Sequence, residues 1–213
     1  MHIPDGILPL PVTAAGYAAT AAVTWYSIRK INQKENPRED VPKASLLTAA
    51  FFVASWIHIP IPPASVHLVL NGLLGAILGY FAFPAILIGL FFQAVMFQHG
   101  GLTTLGVNAI IMGLPAILAH YIFRLRKFGN KEGQKRAGIF GFLAGAIALG
   151  TSVALFVVIL LTNMPADLDI GTERAAIYTL AIAHLPLIVI EGIITSLLAV
   201  FLQRVRPRIL DGV

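Results

Sequence analysis

Long apolar stretches alternate with short polar segments along the whole chain. A helix needs roughly 20 residues to cross the hydrocarbon core of a membrane, and somewhat fewer where the bilayer is thin. The pattern therefore predicts an all-α integral membrane protein with seven transmembrane helices. These helices are predicted over residues 8–28, 41–57, 66–82, 84–97, 107–123, 137–161 and 174–201.

Prolines modify the pattern at two places. The third and fourth stretches meet at Phe83 and Pro84 with almost no loop, so we expect a tight helical hairpin in which Pro84 is the first residue of the fourth helix. The seventh stretch contains Pro186 shortly after His184. Because proline inside a helix removes a backbone hydrogen bond, we expect the last helix to be kinked or broken there.

Composition excludes a water-soluble domain. Hydrophobic residues make up 57% of the chain and charged residues 12%, and the mean hydropathy is +0.83, which leaves too little polar surface to cover a globule. Cysteine is absent, which excludes disulfides, thiolate metal sites and a cysteine nucleophile. A single transmembrane domain over residues 1–213 fits these facts.

The basic residues indicate an orientation. All of the 15 lysines and arginines except Arg174 fall between the first and second stretches, between the fifth and sixth, or after the seventh. Basic loops stay in the cytoplasm, so seven crossings place the C-terminus inside and Met1 outside. The net charge of +5 thus marks one side of a membrane and does not indicate a nucleic-acid partner. No basic segment or cleavage site suggests a removable signal peptide before the first stretch.

Four histidines are expected on the outer face: His2, His58, His67 and His99. A single histidine at a membrane interface is usually satisfied by water or a carbonyl group. Four on one side form a stronger pattern, since imidazole is a common metal ligand.

The opening hexapeptide, MHIPDG, offers specific chelation chemistry. The Met1 amine, the deprotonated His2 backbone nitrogen and His2 Nδ1 can hold one metal in fused five- and six-membered rings. A fourth nitrogen would complete a square plane, which suits Ni(II) or Cu(II). His58, His67 and His99 are equal candidates for that nitrogen on residue type alone. The alternative is a simple turn before a helix, to which Pro4 and the Asp-Gly pair are equally suited.

Three motifs give the chain its resemblance to a known family: MHIPDG at 1–6, SVHLVLNG at 65–72 and FQAVMFQHGGLTTLGVN at 92–108. The sequence resembles the substrate-capture (S) subunits of energy-coupling-factor (ECF) transporters for nickel and cobalt over its whole length. Pro4 and Asp5 favour the nickel branch. Val107 stands where the family usually has alanine.

The resemblance implies a square-planar four-nitrogen site for Ni(II) as transported substrate, formed by Met1, His2 and His67. It also implies import into a prokaryotic cell across its cytoplasmic membrane, with a transmembrane scaffold (T) subunit, two cytoplasmic ATPases and often a small accessory membrane protein. Residues 1–7 would then be the metal-binding segment, 8–205 the helix bundle and 206–213 a cytoplasmic tail. A cobalt subunit serving corrinoid synthesis is the alternative within the family.

Other polar groups near the outer ends of the third to fifth helices are candidates to support the metal ligands. Asn71 follows His67 by four residues and would share its helical face, and Gln93 interrupts an apolar run and should point into the bundle. A hydrogen bond between helices is the alternative role for each. The candidates are Ser65, Asn71, Gln93, His99, Thr103, Thr104 and Asn108.

Other function classes find less support in the sequence. No GxxxxGK[ST] loop occurs, so the chain is not expected to hydrolyse ATP, and no HExxH motif suggests a metalloenzyme. A self-sufficient permease or channel would normally show internal repeats, and none is evident. His184 and Glu191 lie seven residues apart and suggest a proton relay, although Pro186 lies between them.

Overall fold

The computed structural model describes residues 2–61, 64–128, 133–163 and 170–211, with the side chains of 58–65, Ile170 and Asp211 left out. Eight helices and two short strands make up this part of the chain. In order they are α1 Leu10–Ile31, α2 Val41–Ala54, β1 His58–Ile61, β2 Ala64–His67, α3 Asn71–Leu78, α4 Ala82–Phe97, α5 Leu105–Arg124, α6 Gln134–Thr162, α7 Ile170–Val205 and α8 Arg208–Asp211.

The expectation of a helical membrane protein is confirmed. Four helical segments are long and apolar enough to cross a membrane, whereas α2, at 14 residues and about 21 Å, is shorter than a usual span. The number of crossings and the side on which each terminus lies stay predictions. The four segments are Asn71–Phe97, Leu105–Lys127, Gln134–Thr162 and Gly171–Val205.

The first of these segments folds back on itself. A straight helix of 27 residues would be about 40 Å long, yet His67 before it and His99 after it have their Nε2 atoms 3.3 Å apart. The reversal occurs at the 3-10 turn Gly79–Phe81, where Gly79 has a φ of +60°. A helical hairpin is therefore present, but the turn lies before Phe83, and Pro84 is the third residue of α4 rather than its first.

A small antiparallel hairpin replaces the expected start of the third helix. Strands β1 and β2 pair with His58 opposite His67, and α3 begins only at Asn71. The segment before β2 contains three prolines, at 60, 62 and 63, which lack the N–H group that a helix interior needs. His67 consequently lies on a strand and not on a helix.

The last helix does not break at its proline. Helix α7 runs for 36 residues with Pro186 in its interior, so the expected break is wrong, whereas the expected kink stays a prediction. Small residues let α6 approach it closely: a Cβ added at Gly145 would lie 2.7 Å from both the Glu191 carbonyl oxygen and Thr195 Oγ1.

Basic segments meet at the end of the bundle where α1, α5 and α7 finish. Lys34 and Lys43 form ion pairs with Asp40 at 2.8 and 2.9 Å. The Arg126 guanidinium, which is buried, donates to the Leu210 carbonyl at 2.5 Å. The N-terminal residues lie at the other end, where α1 begins.

Candidate metal centre

The N-terminal segment is held against the start of α5 through the backbone of Ile3. The Ile3 N–H donates to Asn108 Oδ1 at 2.9 Å, and Asn108 Nδ2 donates back to the Ile3 carbonyl at 3.0 Å. Thr104 Oγ1 donates to the same carbonyl at 2.7 Å. The Ile3 side chain has no exposed surface, so it adds an apolar anchor. These contacts place His2 directly over the loop before α5.

Asp5 provides a second attachment to that loop. Its carboxylate accepts hydrogen bonds from the Leu102 N–H at 3.1 Å, the Thr103 N–H at 2.8 Å and the Thr103 hydroxyl at 2.5 Å. Gly101 lies so close that an added Cβ would collide with the Asp5 side chain. The following Gly6 has a φ of +85°, which a residue with a side chain rarely adopts. The MHIPDG and HGGLTT motifs therefore fold as complementary surfaces.

Three imidazoles meet where this segment contacts the helical hairpin. The ligand nitrogens of His2, His67 and His99 all lie within 4.8 Å of one another. The ring centroid of His2 is 5.2 Å from that of His67 and 4.1 Å from that of His99. His67 is buried and the other two are partly buried. The N-terminal segment, β2 and the loop after α4 each contribute one ring.

Hydrogen bonds indicate the tautomers of two of these rings. His2 Nε2 lies 2.9 Å from Gln93 Oε1 and must donate to it, so Nδ1 carries the lone pair. His2 Nδ1 is buried and has no hydrogen-bond partner within the described parts of the chain. His67 Nδ1 donates to the Leu68 carbonyl at 3.0 Å, which directs its own lone pair to Nε2, beside His99. Outer hydrogen bonds of this kind fix the tautomer of a ligating imidazole.

Electrostatics favour the neutral form of the terminal imidazole. Burial lowers the pKa of His2 well below its ordinary value of 6.5, and the nearby charges of His99 and His67 lower it further. A neutral imidazole is the form that binds metal ions. A cavity of about 130 Å³ adjoins the cluster; it is lined by Ser55, Trp56, Gln93, Phe97 and His99.

The remaining predicted residues divide into three groups. Gln93 points into the bundle and contacts His2, while Thr103 and Asn108 bind the N-terminal segment. Asn71 does not share a face with His67; its amide donates to the Met112 carbonyl and to Ser152 Oγ instead, which joins α3 to α5 and α6. Three candidates lie outside what is described, namely Met1 and the side chains of His58 and Ser65.

The structure does not support a relay between His184 and Glu191. His184 Nδ1 donates to the Leu180 carbonyl at 2.7 Å, whereas the Glu191 carboxylate binds the backbone N–H groups of Val69 and Leu70. The sequence did not predict that Glu191 binds the N–H groups of Val69 and Leu70, or that Asp5 attaches the N-terminal segment to the loop before α5. The Asp-Gly turn was the visible signal for Asp5, whereas no local pattern marks the partner of Glu191.

Replacement of Asp5 by asparagine should loosen the N-terminal segment. Hydrogen bonds from Thr103, above all from its side chain, lower the pKa of Asp5 below its usual value of 3.8. The carboxylate therefore stabilises the docked segment above that value, and the stabilisation is lost as the pH falls through the lowered pKa. NMR can measure hydrogen exchange of the Ile3 amide and compare it with the rate expected for an unstructured peptide. We expect the protection of this amide to fall on the order of tenfold in Asp5→Asn, because charge-assisted hydrogen bonds are about twice as strong as neutral ones. Once the pH lies below the lowered pKa of Asp5 the two proteins should converge; a difference that persisted there would assign the effect to shape and not to charge.

The chain is similar to a known family and to several known proteins. A family described as CbiM, cobalt uptake substrate-specific transmembrane region, matches residues 2–209. A Haemophilus influenzae protein, whose name assigns it provisionally to metal transport, is 34% identical over 99% of this chain and 97% of its own length. The fused nickel transport protein NikMN of Rhodobacter capsulatus is 31% identical over 99% of this chain and 64% of its own.

Solved structures share the fold. A crystal structure of a transition metal transporter superposes with a TM-score of 0.75 at 24% identity, covering 96% of this chain and 93% of the other. A truncated transition metal transporter gives a TM-score of 0.70 over 95% of this chain.

Proposed function

The chain belongs to the CbiM family, the substrate-specific transmembrane component of cobalt uptake, and from that membership we propose that it captures Ni(II) for an ATP-driven ECF importer. Relatives in the family are named for cobalt and for nickel transport, so the protein is a transport component and not an enzyme. The observation that carries the proposal is His2 Nδ1, a buried nitrogen that has no hydrogen-bond partner among the described residues and lies beside two further imidazoles.

In the proposed site the metal binds four nitrogens in a plane. The Met1 amine, the His2 backbone nitrogen and His2 Nδ1 form the chelate, and His67 contributes the fourth nitrogen. Support comes from Gln93, which holds His2 in the tautomer that leaves Nδ1 unprotonated, and from the clamp on Ile3 that fixes the start of the chain. His99 hydrogen-bonds to His67 and serves as its partner in the metal-free protein.

Nickel is favoured over cobalt because the donor set is planar and entirely nitrogen. Ni(II) adopts four-coordinate square-planar geometry with such donors, and it lies above Co(II) in the general affinity order of divalent metals. Cobalt can use the same nitrogens and is the second candidate, supported by the cobalt transport protein CbiM of Geobacter sulfurreducens, 31% identical over 99% of this chain and 61% of its own length.

Transport requires partners that supply energy. The sequence contains no phosphate-binding GxxxxGK[ST] loop, so we assign ATP hydrolysis to a pair of separate cytoplasmic subunits joined through a transmembrane scaffold subunit. In this arrangement seven helices cross the cytoplasmic membrane, the metal site faces outward, and the basic end of the bundle faces the ATPases. Import by the purified chain alone in liposomes would favour the self-sufficient permease instead.

Addition of two glycines ahead of Met1 should abolish tight nickel binding. The extension moves the free amine out of the five-membered chelate ring. Two residues are needed, because a single one would place His2 third in the chain, where an amine, two amide nitrogens and the imidazole also form a planar chelate. Isothermal titration of purified protein with Ni(II) should show an affinity at least about 100-fold weaker, beyond the 10–100-fold effect of losing a group that only supports a ligand.

The matched control carries the same two glycines after Val213, at the other end of the chain. It should bind nickel as the unextended protein does. Unchanged binding in the N-terminally extended form would exclude the Met1 amine and leave the imidazoles of His2, His67 and His99 as an ordinary cluster site.

A further inference from the structure

The buried carboxylate of Glu191 holds the segment that follows His67. Glu191 lies on α7 and is 1% exposed. One carboxylate oxygen accepts the Val69 N–H in a short hydrogen bond, and the other accepts the Leu70 N–H at 3.0 Å. More than 120 residues separate the partners along the chain, so this contact ties α7 to the connection between β2 and α3.

That connection is buried but irregular, so its backbone N–H groups have no helix or strand to pair with. Residues 68–70 form neither helix nor strand, and Leu70 adopts a left-handed φ of +54°, which is uncommon for a residue with a side chain. Helix α3, which begins immediately afterwards, has no side-chain cap. Without Glu191 the two N–H groups would be buried and unsatisfied, so the backbone would be free to rearrange. The orientation of His67, two residues before Val69, depends on this backbone.

The charge of Glu191 also lacks a cationic partner. Across the residues that the structure describes, the carboxylate contacts only the two N–H groups and forms no ion pair. The two N–H groups are therefore the contacts through which a substitution at Glu191 would reach His67, which lies two residues before Val69.

We propose that Glu191 is a positioning residue of the metal centre, which fixes His67 through the β2–α3 connection. The inference rests on the proposed function, because it assigns His67 as a ligand. It also makes α7 part of the binding machinery: displacement of α7 relative to α3 would release the backbone that carries His67.

The test compares nickel affinity in four full-length variants purified in detergent. Glu191→Gln keeps the shape of the side chain but removes its charge and turns an amide N–H toward the N–H group of Val69 or Leu70. We therefore expect nickel affinity to fall 10- to 100-fold. Glu191→Asp, which keeps the charge, should recover part of that loss. Thr195→Val is the matched control, because Thr195 lies one turn further along α7, is equally buried, and has a hydroxyl with no hydrogen-bond partner within the described ranges. It should bind nickel normally.

The fourth variant tests whether the effect passes through His67. In a His67→Ala background, where the N-terminal chelate still gives residual binding, Glu191→Gln should have no further effect on nickel affinity. An equal loss in both backgrounds would show general destabilisation and overturn the inference. So would unchanged affinity in Glu191→Gln.

A readout without metal separates this inference from the proposed function. NMR of the metal-free protein should show faster amide exchange at Val69 and Leu70 and altered His67 ring resonances in Glu191→Gln, with the exchange of Ile3 unaffected. If the parent protein bound no nickel but these changes appeared, the proposed function would fail while the positioning of His67 stood. Unchanged exchange and ring resonances would refute the positioning role itself.

Discussion

Alanine at position 67 is expected to weaken nickel binding by more than about 100-fold, beyond the range typical of supporting groups. The His67 Nε2 lone pair faces the cluster because its Nδ1–H donates to the Leu68 carbonyl, and alanine removes the nitrogen altogether. Titration with Ni(II) gives the affinity, and the absorption band of square-planar nickel should shift as water or another donor replaces the fourth nitrogen.

His99→Ala provides the contrast within the same cluster. His99 contacts His67 at 3.3 Å but, in the proposed site, does not bind the metal. We expect at most about a tenfold loss, with the absorption band unchanged, as for a partner that only orients a ligand. The reverse ranking of the two variants would make His99 the fourth ligand and His67 its partner.

Asn108→Ala is expected to detach the N-terminal segment while the bundle stays folded. The substitution removes both amide contacts with Ile3, and it leaves the buried Ile3 N–H without an acceptor. An unsatisfied buried group costs about 1–3 kcal/mol, which corresponds to a 5- to 150-fold shift toward the detached state. Cleavage by an added protease near the N-terminus should accelerate accordingly, and nickel affinity should fall with it.

The matched control is Asn71→Ala, which removes an equally buried asparagine amide from another part of the bundle. Asn71 joins α3 to α5 and α6 through Met112 and Ser152, so its loss should lower the melting temperature without exposing the N-terminus. Equal protease sensitivity in the two variants would mean that the segment loosens whenever the bundle does, and that Asn108 has no special role.

The sequence was a good guide to the helices and a poorer guide to their ends. Hydropathy located α1, α2, α5, α6 and α7 to within a few residues, because burial in lipid requires continuous apolar segments. Hydropathy misplaced the hairpin turn at Pro84, because the turn is formed at Gly79, which has a positive φ. The chain has 19 glycines, and no local pattern distinguishes Gly79 from the others. Pro186 was expected to kink or break the last helix, and α7 continues through it without a break.

Chelation chemistry could be predicted for His2 from its place in the chain, but its surroundings could not. The pairing of Asn108 with Ile3 and of Asp5 with Thr103 joins residues about a hundred positions apart, and no helical period relates them. Asn71 shows the limit of periodicity: the spacing from His67 is that of one helical face, yet His67 ends a strand and an irregular connection separates it from Asn71.

The helical hairpin has a mechanical consequence. His67 and His99 stand at the open ends of two arms that leave the same three-residue turn, Gly79–Phe81, at the far end of the fold. Helix α4 is about 24 Å long, so tilting it by about 10° around that turn would displace its tip by about 4 Å. This is more than the 3.3 Å between the two imidazole nitrogens. A small tilt of α4 around the turn at the basic end of the protein would thus separate the two imidazole rings at the opposite end.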